Sequence, residues 1–241
     1  MMPRPILILT HDACQRPALL GDLIARASLS SIALHLRSVE DLPEPDLLAS
    51  CGGLVVLDRP PATEPGRVSA SRELLAAWHA RGRPLLGLGG GACLLTHALG
   101  GRVAPAPSPV RGWFRVGLHP QAACAPWLEA LGAELPAVLQ WHVDEFLPPP
   151  GARTLLRGAP ASCQGWADGT TIALNPMLHA DAALYGEWLA AWQAGPGTAS
   201  ASWQTPAELA ADSAARLAAQ RSLSTRLLGV WLGQESSTGR H

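Results

Sequence analysis

The chain of 241 residues is 48% hydrophobic, with 18 basic against 19 acidic residues and a formal net charge of -1. That is enough apolar material to bury a full core, and it excludes a disordered or fibrous chain. Without a basic tract there is no footprint for nucleic acid or for an anionic membrane surface, which leaves small molecules and proteins as the expected partners.

Residues 5–10, PILILT, form a short apolar run bounded by turn residues, the pattern of a fully buried parallel strand. The run is too short for a secretory core and passes straight into His11 and Asp12, so it predicts a first strand rather than a signal. Leu19, Leu20, Leu23 and Ile24 then recur with helical spacing, and SIALHL (31–36) and GGLVVLD (52–58) predict two more strands. A helix over SASRELLAAWHARG (69–82) ends at Gly82. PLLGLG (84–89) is the fourth strand, and GACLLTHALGG (91–101) is the helix after it, closed by Gly100 and Gly101. Strands alternating with helices predict an α/β fold with a doubly wound, mostly parallel sheet.

The second half is richer in strands, over WFRVGL (113–118), AVLQWHV (137–143), TLLRG (154–158), CQGWA (163–167) and TIALNP (171–176). A helix over ADAALYGEWLAAWQ (180–193) closes this unit, so residues 1–193 read as one domain. The small polar residues 194–203 read as a linker. Residues 204–233 read as a C-terminal helical extension with Thr205 as N-cap and Pro206 at the first helical position, packing on the core through Leu227, Leu228 and Trp231. The remaining 234–241 read as a disordered tail. No run approaches the ~20 apolar residues needed to cross a bilayer. The five cysteines, Cys14, Cys51, Cys93, Cys124 and Cys163, are odd in number and form no C-x-x-C pair, which fits a cytoplasmic protein without a zinc site.

Four stretches stand in an informative order: RPLLGLGGGACLLTHALGGRVAP (83–105), RGWFRVGL (111–118), LQWHVDEF (139–146) with PPGARTLL (149–156), and IALNPM (172–177). Together they resemble the class I glutamine amidotransferases, above all the small glutaminase-like members related to the amidotransferase part of GMP synthase, over roughly residues 4 to 193. The resemblance implies flavodoxin-like layering and a specific chemistry. In the family a cysteine at the turn from strand to helix attacks the carboxamide of glutamine, a histidine activates it, and a glutamate two residues beyond orients that histidine.

Aligned on LLTHALGGRV, Gly87 and Gly91 take the two elbow glycines and Gly89 takes the nucleophile position. The family's His-Pro-Glu becomes Asn175, Pro176 and Met177. An asparagine is neutral and cannot take a thiol's proton, and a methionine has no charge to offer a histidine. Asp58, Arg59, Pro60 and Pro61 stand where a Gly-Gly-Pro commonly supplies an oxyanion amide. A carboxylate there opposes an oxyanion, and a proline has no N–H to give. Cys93 replaces the glutamine that follows the elbow. Losses at nucleophile, base, orienter and oxyanion region together imply a fold that no longer performs the glutaminase reaction.

What remains is binding. Gly89, Gly90 and Gly91 leave bare amides at a helix N-terminus, suited to a small carboxylate or anion, or they merely relieve a tight elbow. Asp58 and Arg59 either line that site or close it with an ion pair. His142 and Asp144 match the family's Trp-His-Gly-Asp stretch and are expected to rim the cleft, while His11 and Asp12 end the first strand at the carboxyl edge of the sheet. The run from Gly87 to Ala92 also satisfies G-x-G-x-x-A, but no acidic residue between Glu73 and Glu129 is there to hold a ribose. No dinucleotide, metal or other cofactor is therefore expected. Cys93, one helical turn past Gly89, is either a core cysteine or a displaced nucleophile with His97 or His142 as base. Trp203 and Trp231 mark either a protein contact or packing of the tail. Family members usually deliver ammonia to a synthase, so the resemblance also implies a protein partner. The sequence reads as a catalytically degenerate amidotransferase-like protein acting by binding, with an amide hydrolase working through Cys93 as the alternative.

Overall fold

Ile6–Thr10 (β1) is an unbroken apolar run because both of its faces are covered. Ile6 and Ile8 enter one core cluster and Leu7 and Leu9 another on the opposite face of the sheet. The computed structural model describes residues 3–11, 15–36, 41–58, 65–120, 122, 134–158, 163–193 and 202–238. After β1 come α1 (Ala18–Arg26), β2 (Ser31–His35), α2 (Pro45–Ser50), β3 (Gly53–Asp58), α3 (Pro65–Ala80), β4 (Leu85–Gly89) and α4 (Gly90–Ala98). The remaining strands follow as β5 (Arg102–Leu118), β6 (Glu134–Leu147), β7 (Arg153–Arg157), β8 (Gly165–Asp168) and β9 (Thr171–Leu174). The chain closes with α5 (Ala182–Gln193), α6 (Pro206–Ala210) and α7 (Ser213–Thr238).

These strands make one sheet in the order β2-β1-β3-β4-β9-β8-β7-β5-β6. β2, β1, β3, β4 and β9 are parallel neighbours, and β8, β7, β5 and β6 continue antiparallel. Strand order reverses at β1, which gives the doubly wound arrangement and puts the binding edge at the carboxyl ends of the parallel strands. On one face α1 and α7 pack through Leu20, Ile24, Leu227, Leu228 and Trp231 against Ile6, Val55 and Leu86. On the other, α3 and α4 pack through Leu75, Trp78, Cys93 and Leu95 against Leu7, Val56 and Leu85. No helix among the described residues is long and apolar enough to cross a membrane.

β5 and β6 run well past the expected 113–118 and 137–143. Pro105, Pro107 and Pro109 argue against a strand because each lacks a ladder donor. The hairpin accommodates them with a register shift between Pro105 and Val110. The extension is two helices rather than one, broken beside Asp212, which sits at φ 54°. Its long helix continues to Thr238, past the residue 233 at which the sequence places the boundary. Of the linker, only Ser202 and Trp203 are described, and they are tied down: Arg111 N–H donates to Ser202 O at 2.9 Å, and the Arg111 guanidinium lies 4.2 Å from the Trp203 ring. Next to them, Gln204 Oε1 accepts from Trp113 N–H at 2.8 Å, and Thr205 with Glu208 forms a capping box on α6. Leu227, Leu228 and Trp231 are buried, so the tail packs as expected.

Candidate active-site elbow

The turn from β4 into α4 is glycine for steric reasons. Gly89, the N-cap of α4, has φ 59° and ψ -127°, a backbone conformation that a side chain makes costly. A methyl on Gly87 would stand 2.6 Å from Leu95 Cδ1 and 2.7 Å from Gly91 O, and one on Gly91 would overlap the Val56 carbonyl. α4 is therefore seated backbone against backbone on β3 and β4. Its first N–H groups have no intrahelical acceptors and face the carboxyl ends of the strands.

The ladder brings the sequence-predicted positions together. Asp58 pairs with Gly89, and Leu88 pairs with Leu174, so Asn175 follows β9 beside Gly89. Asn175 N–H donates to Gln164 O at 2.9 Å, which extends the row to β8. Asn175 is 1% exposed, and neither Oδ1 nor Nδ2 has a hydrogen-bond partner. Gln164 is fully buried and equally unmatched at Oε1 and Nε2. Two residues further on, Met177 is buried, its N–H donating to Leu139 O at 2.9 Å.

That turn is locked from the C-terminal extension. The Gln220 side chain of α7 donates from Nε2 to Met177 O at 3.3 Å and accepts at Oε1 from Leu139 N–H at 2.7 Å, fully buried. Replacing Gln220 with leucine strips two buried backbone groups of their partners. Gln220→Leu is expected to lower unfolding stability by about 2 kcal/mol, read from the urea midpoint at constant m-value.

His142 lies on β6, 2% exposed, with Nδ1 3.1 Å from Asp144 O and Nε2 3.3 Å from Gln140 Oε1. Burial pushes its pKa down to about 4, so the ring is neutral near pH 7, and burial also raises the pKa of Asp144. With Nδ1–H donating to a carbonyl, Nε2 is a lone pair and needs a donor. Hydrogen-bond logic therefore turns the Gln140 amide so that its NH2 faces His142. Both partners of His142 lie on its own strand, β6.

Cys93 is 7% exposed within the apolar cluster of Leu85, Leu94 and Leu95, and His97 is exposed in the last turn of α4. His11 Nε2 is 2.8 Å from Ser71 Oγ on α3, both side chains buried. Burial pushes the Cys163 thiol up to about 11 and keeps it protonated. Asp12, Arg59, Pro60, Pro61, Cys14 and Cys124 lie outside the described residues, and of Asp58 only the backbone pairing is described. Among the described residues, no group of three or more His, Cys, Asp or Glu is placed to hold a metal ion. Gln140, Gln164 and Gln220 escape sequence reasoning. The signal they leave is a lone glutamine inside an otherwise apolar strand or helix stripe.

Solved structures share this fold. A glutamine amidotransferase from Methylobacillus flagellatus superposes with a TM-score of 0.84 over 96% of this chain and 95% of its own, at 24% identity. The class I glutamine amidotransferase fold is this chain's fold. A glutamine amidotransferase from Thermotoga maritima matches with a TM-score of 0.77 at 17% identity, over 95% of this chain and 98% of its own. A Thermoplasma acidophilum protein assigned to GMP synthase as one of its subunits matches at 0.62 and 12% identity, over 98% of both chains. No protein-family model and no curated protein matches the sequence. Within this amidotransferase fold, Gly89 stands at the elbow, and Asn175 and Met177 follow the strand beside it.

Proposed function

We infer that this chain acts by binding and does not hydrolyse glutamine. The reading rests above all on Gly89: the turn keeps the strained conformation that presents a nucleophile from a strand-to-helix elbow, and glycine has no atom to present. Asn175 beside it offers a neutral amide where an attacking thiol would need a base, and buried Met177 carries no charge to orient one. The bare N-terminal amides of α4 suit a small ligand, a carboxylate or other anion if those amides alone decide. A regulatory or scaffolding role beside a synthase is the companion reading, supported by the likeness to the Thermoplasma acidophilum protein assigned to GMP synthase.

An electrophilic glutamine analogue tests the loss of chemistry. Intact mass and peptide mapping are expected to find no adduct that glutamine prevents. A glutamine-protected adduct on Cys93 would overturn the reading and make this an amide hydrolase with a displaced nucleophile.

A further inference from the structure

A second opening lies where α1, the turn after β9 and α7 meet, and none of the elbow residues lines it. It is a cavity of about 210 Å³, with Leu19, Ala180, Leu217, Asp181 and Arg221 in its wall. The turn is pinned from both sides. Leu19 N–H donates to His179 O at 3.0 Å, and Gln220 of α7 holds Met177 O. Just before Leu19, Ala18 sits at φ 42°, in the left-handed region that glycine enters freely and alanine does not. Such a backbone persists only where its surroundings over-determine it, so the elements that wall the cavity hold fixed positions.

Burial divides the wall. Leu19 and Ala180 are buried and Leu217 half-buried, which makes an apolar floor, while Asp181 is half-buried and Arg221 is exposed at the rim. Among the described residues, Asp181 and Arg221 form no ion pair with each other. Asp181 Oδ1 accepts from Leu184 N–H at 2.8 Å and caps α5, which leaves Oδ2 for a further donor. The Arg221 guanidinium stays charged and carries five N–H donors suited to a carboxylate.

These two charges over one apolar floor select the occupant. A carboxylate with an apolar tail would answer Arg221 and meet Asp181 with like charge, and an amine with the same tail fails in the opposite sense. An α-amino acid carries both charges on one carbon and an aliphatic side chain to cover the floor. The volume agrees. A cavity of about 150 Å³ accepts benzene, so about 210 Å³ has room for a four-carbon side chain.

We propose that the cavity between α1, the turn after β9 and α7 binds an aliphatic α-amino acid, its carboxylate on Arg221, its ammonium on Asp181 and its side chain against Leu19, Ala180 and Leu217. This is a second site, independent of what the elbow binds. L-Leucine is the probe, titrated into the full chain, with isovalerate, isoamylamine and glycine as comparisons that each lack one of the three matched groups. L-Leucine is expected to raise Tm saturably and to shift the methyl resonances of Leu19, Ala180 and Leu217. The three comparisons are expected to bind more weakly by about tenfold or more, as are Arg221→Gln and Asp181→Asn toward L-leucine. Asparagine keeps the cap on α5, and Arg221 is a surface residue, so both variants are expected to fold. Should either fail to fold, the methyl shifts and the comparison ligands in the wild-type chain decide alone.

Isovalerate binding as tightly as L-leucine would overturn the amino-acid class and leave a carboxylate site on Arg221. L-Leucine binding that neither substitution weakens, or shifts confined to the amides of Gly89 to Gly91, would place the ligand elsewhere and overturn the site. No response to L-leucine would overturn it as well. The loss of hydrolysis is judged separately by the mass measurement, so the two readings fail independently.

Discussion

Gly91→Ala is expected to lower unfolding stability by about 3 kcal/mol or more, a cost near the upper end for a single added methyl. The new Cβ would overlap the Val56 carbonyl oxygen and stand 2.8 Å from its carbon. Those are backbone atoms of a buried central strand, paired on both sides, so they cannot turn aside as a flexible side chain would. Relief requires α4 to lift from β3. That would break the packing of Ala92, Cys93 and Leu95 and displace the amides that face the site. Urea unfolding measures the loss. Gly186→Ala and Gly229→Ala are the controls: both glycines lie in helices with nothing within 4 Å of a new methyl. They are expected to be neutral or to stabilise by roughly 0.5–1 kcal/mol, since alanine restricts the unfolded chain more than glycine does. A Gly91→Ala protein as stable as these controls would mean that α4 does not sit on β3 as described.

The same contact explains why the parallel half of the fold was legible in the sequence. β1, β3 and β4 are continuous apolar runs because both faces are buried, and Gly87 and Gly91 punctuate the turn because the helix behind them approaches so closely. Local chemistry and global packing agree there: the bounds of β1 to β4 differ from the expected ones by one residue, although α3 begins four residues earlier than expected and α4 ends three earlier. The antiparallel half was less legible. Three prolines between 105 and 109 carry the opposite local signal from the ladder they join, and the hairpin's register shift is a tertiary solution that no local pattern announces. α2 is one short turn-and-a-half behind Pro45 with no buried residue, too little apolar periodicity to mark a helix.

Within the elbow, the positions of Gly89, Asn175 and Met177 followed from motif order, and β4 beside β9 brings the first two together. What motif order could not supply was the company they keep. Gln164 lies just before β8, 11 residues ahead of Asn175, and meets it only across the hairpin, while Gln220 reaches Met177 from a helix of the extension. Such partners depend on which long-range elements meet, and glutamine in an apolar stretch looks the same whether it is matched, orphaned or clamping a turn.

Acid is expected to produce the second large effect. His142 and His179 are both held neutral by burial, each with its pKa lowered from 6.5 to about 4; Asp181 opposes the shift at His179, and the hydrogen bond to Asp144 opposes it at His142. His179 is fully buried, with Nε2 3.0 Å from Gln15 Oε1 and its ring edge-on to Trp188. Between pH 6.5 and about 4, the unfolded chain binds protons at these sites and the folded chain does not, so stability rises with pH through that window. Each histidine contributes about 3 kcal/mol on this reckoning, present in full above pH 6.5 and lost as pH falls toward 4. Asp144 acts in the opposite sense, because burial raises its pKa in the folded chain. Urea midpoints from pH 7 down to about pH 4.5 should fall steeply at constant m-value. His142→Gln and His179→Gln, which cannot take a proton, should each flatten the slope, and the double variant should flatten it most. A wild-type slope unchanged by either substitution would place the acid sensitivity in the carboxylates instead, and would mean that neither imidazole is sealed from water as its burial requires.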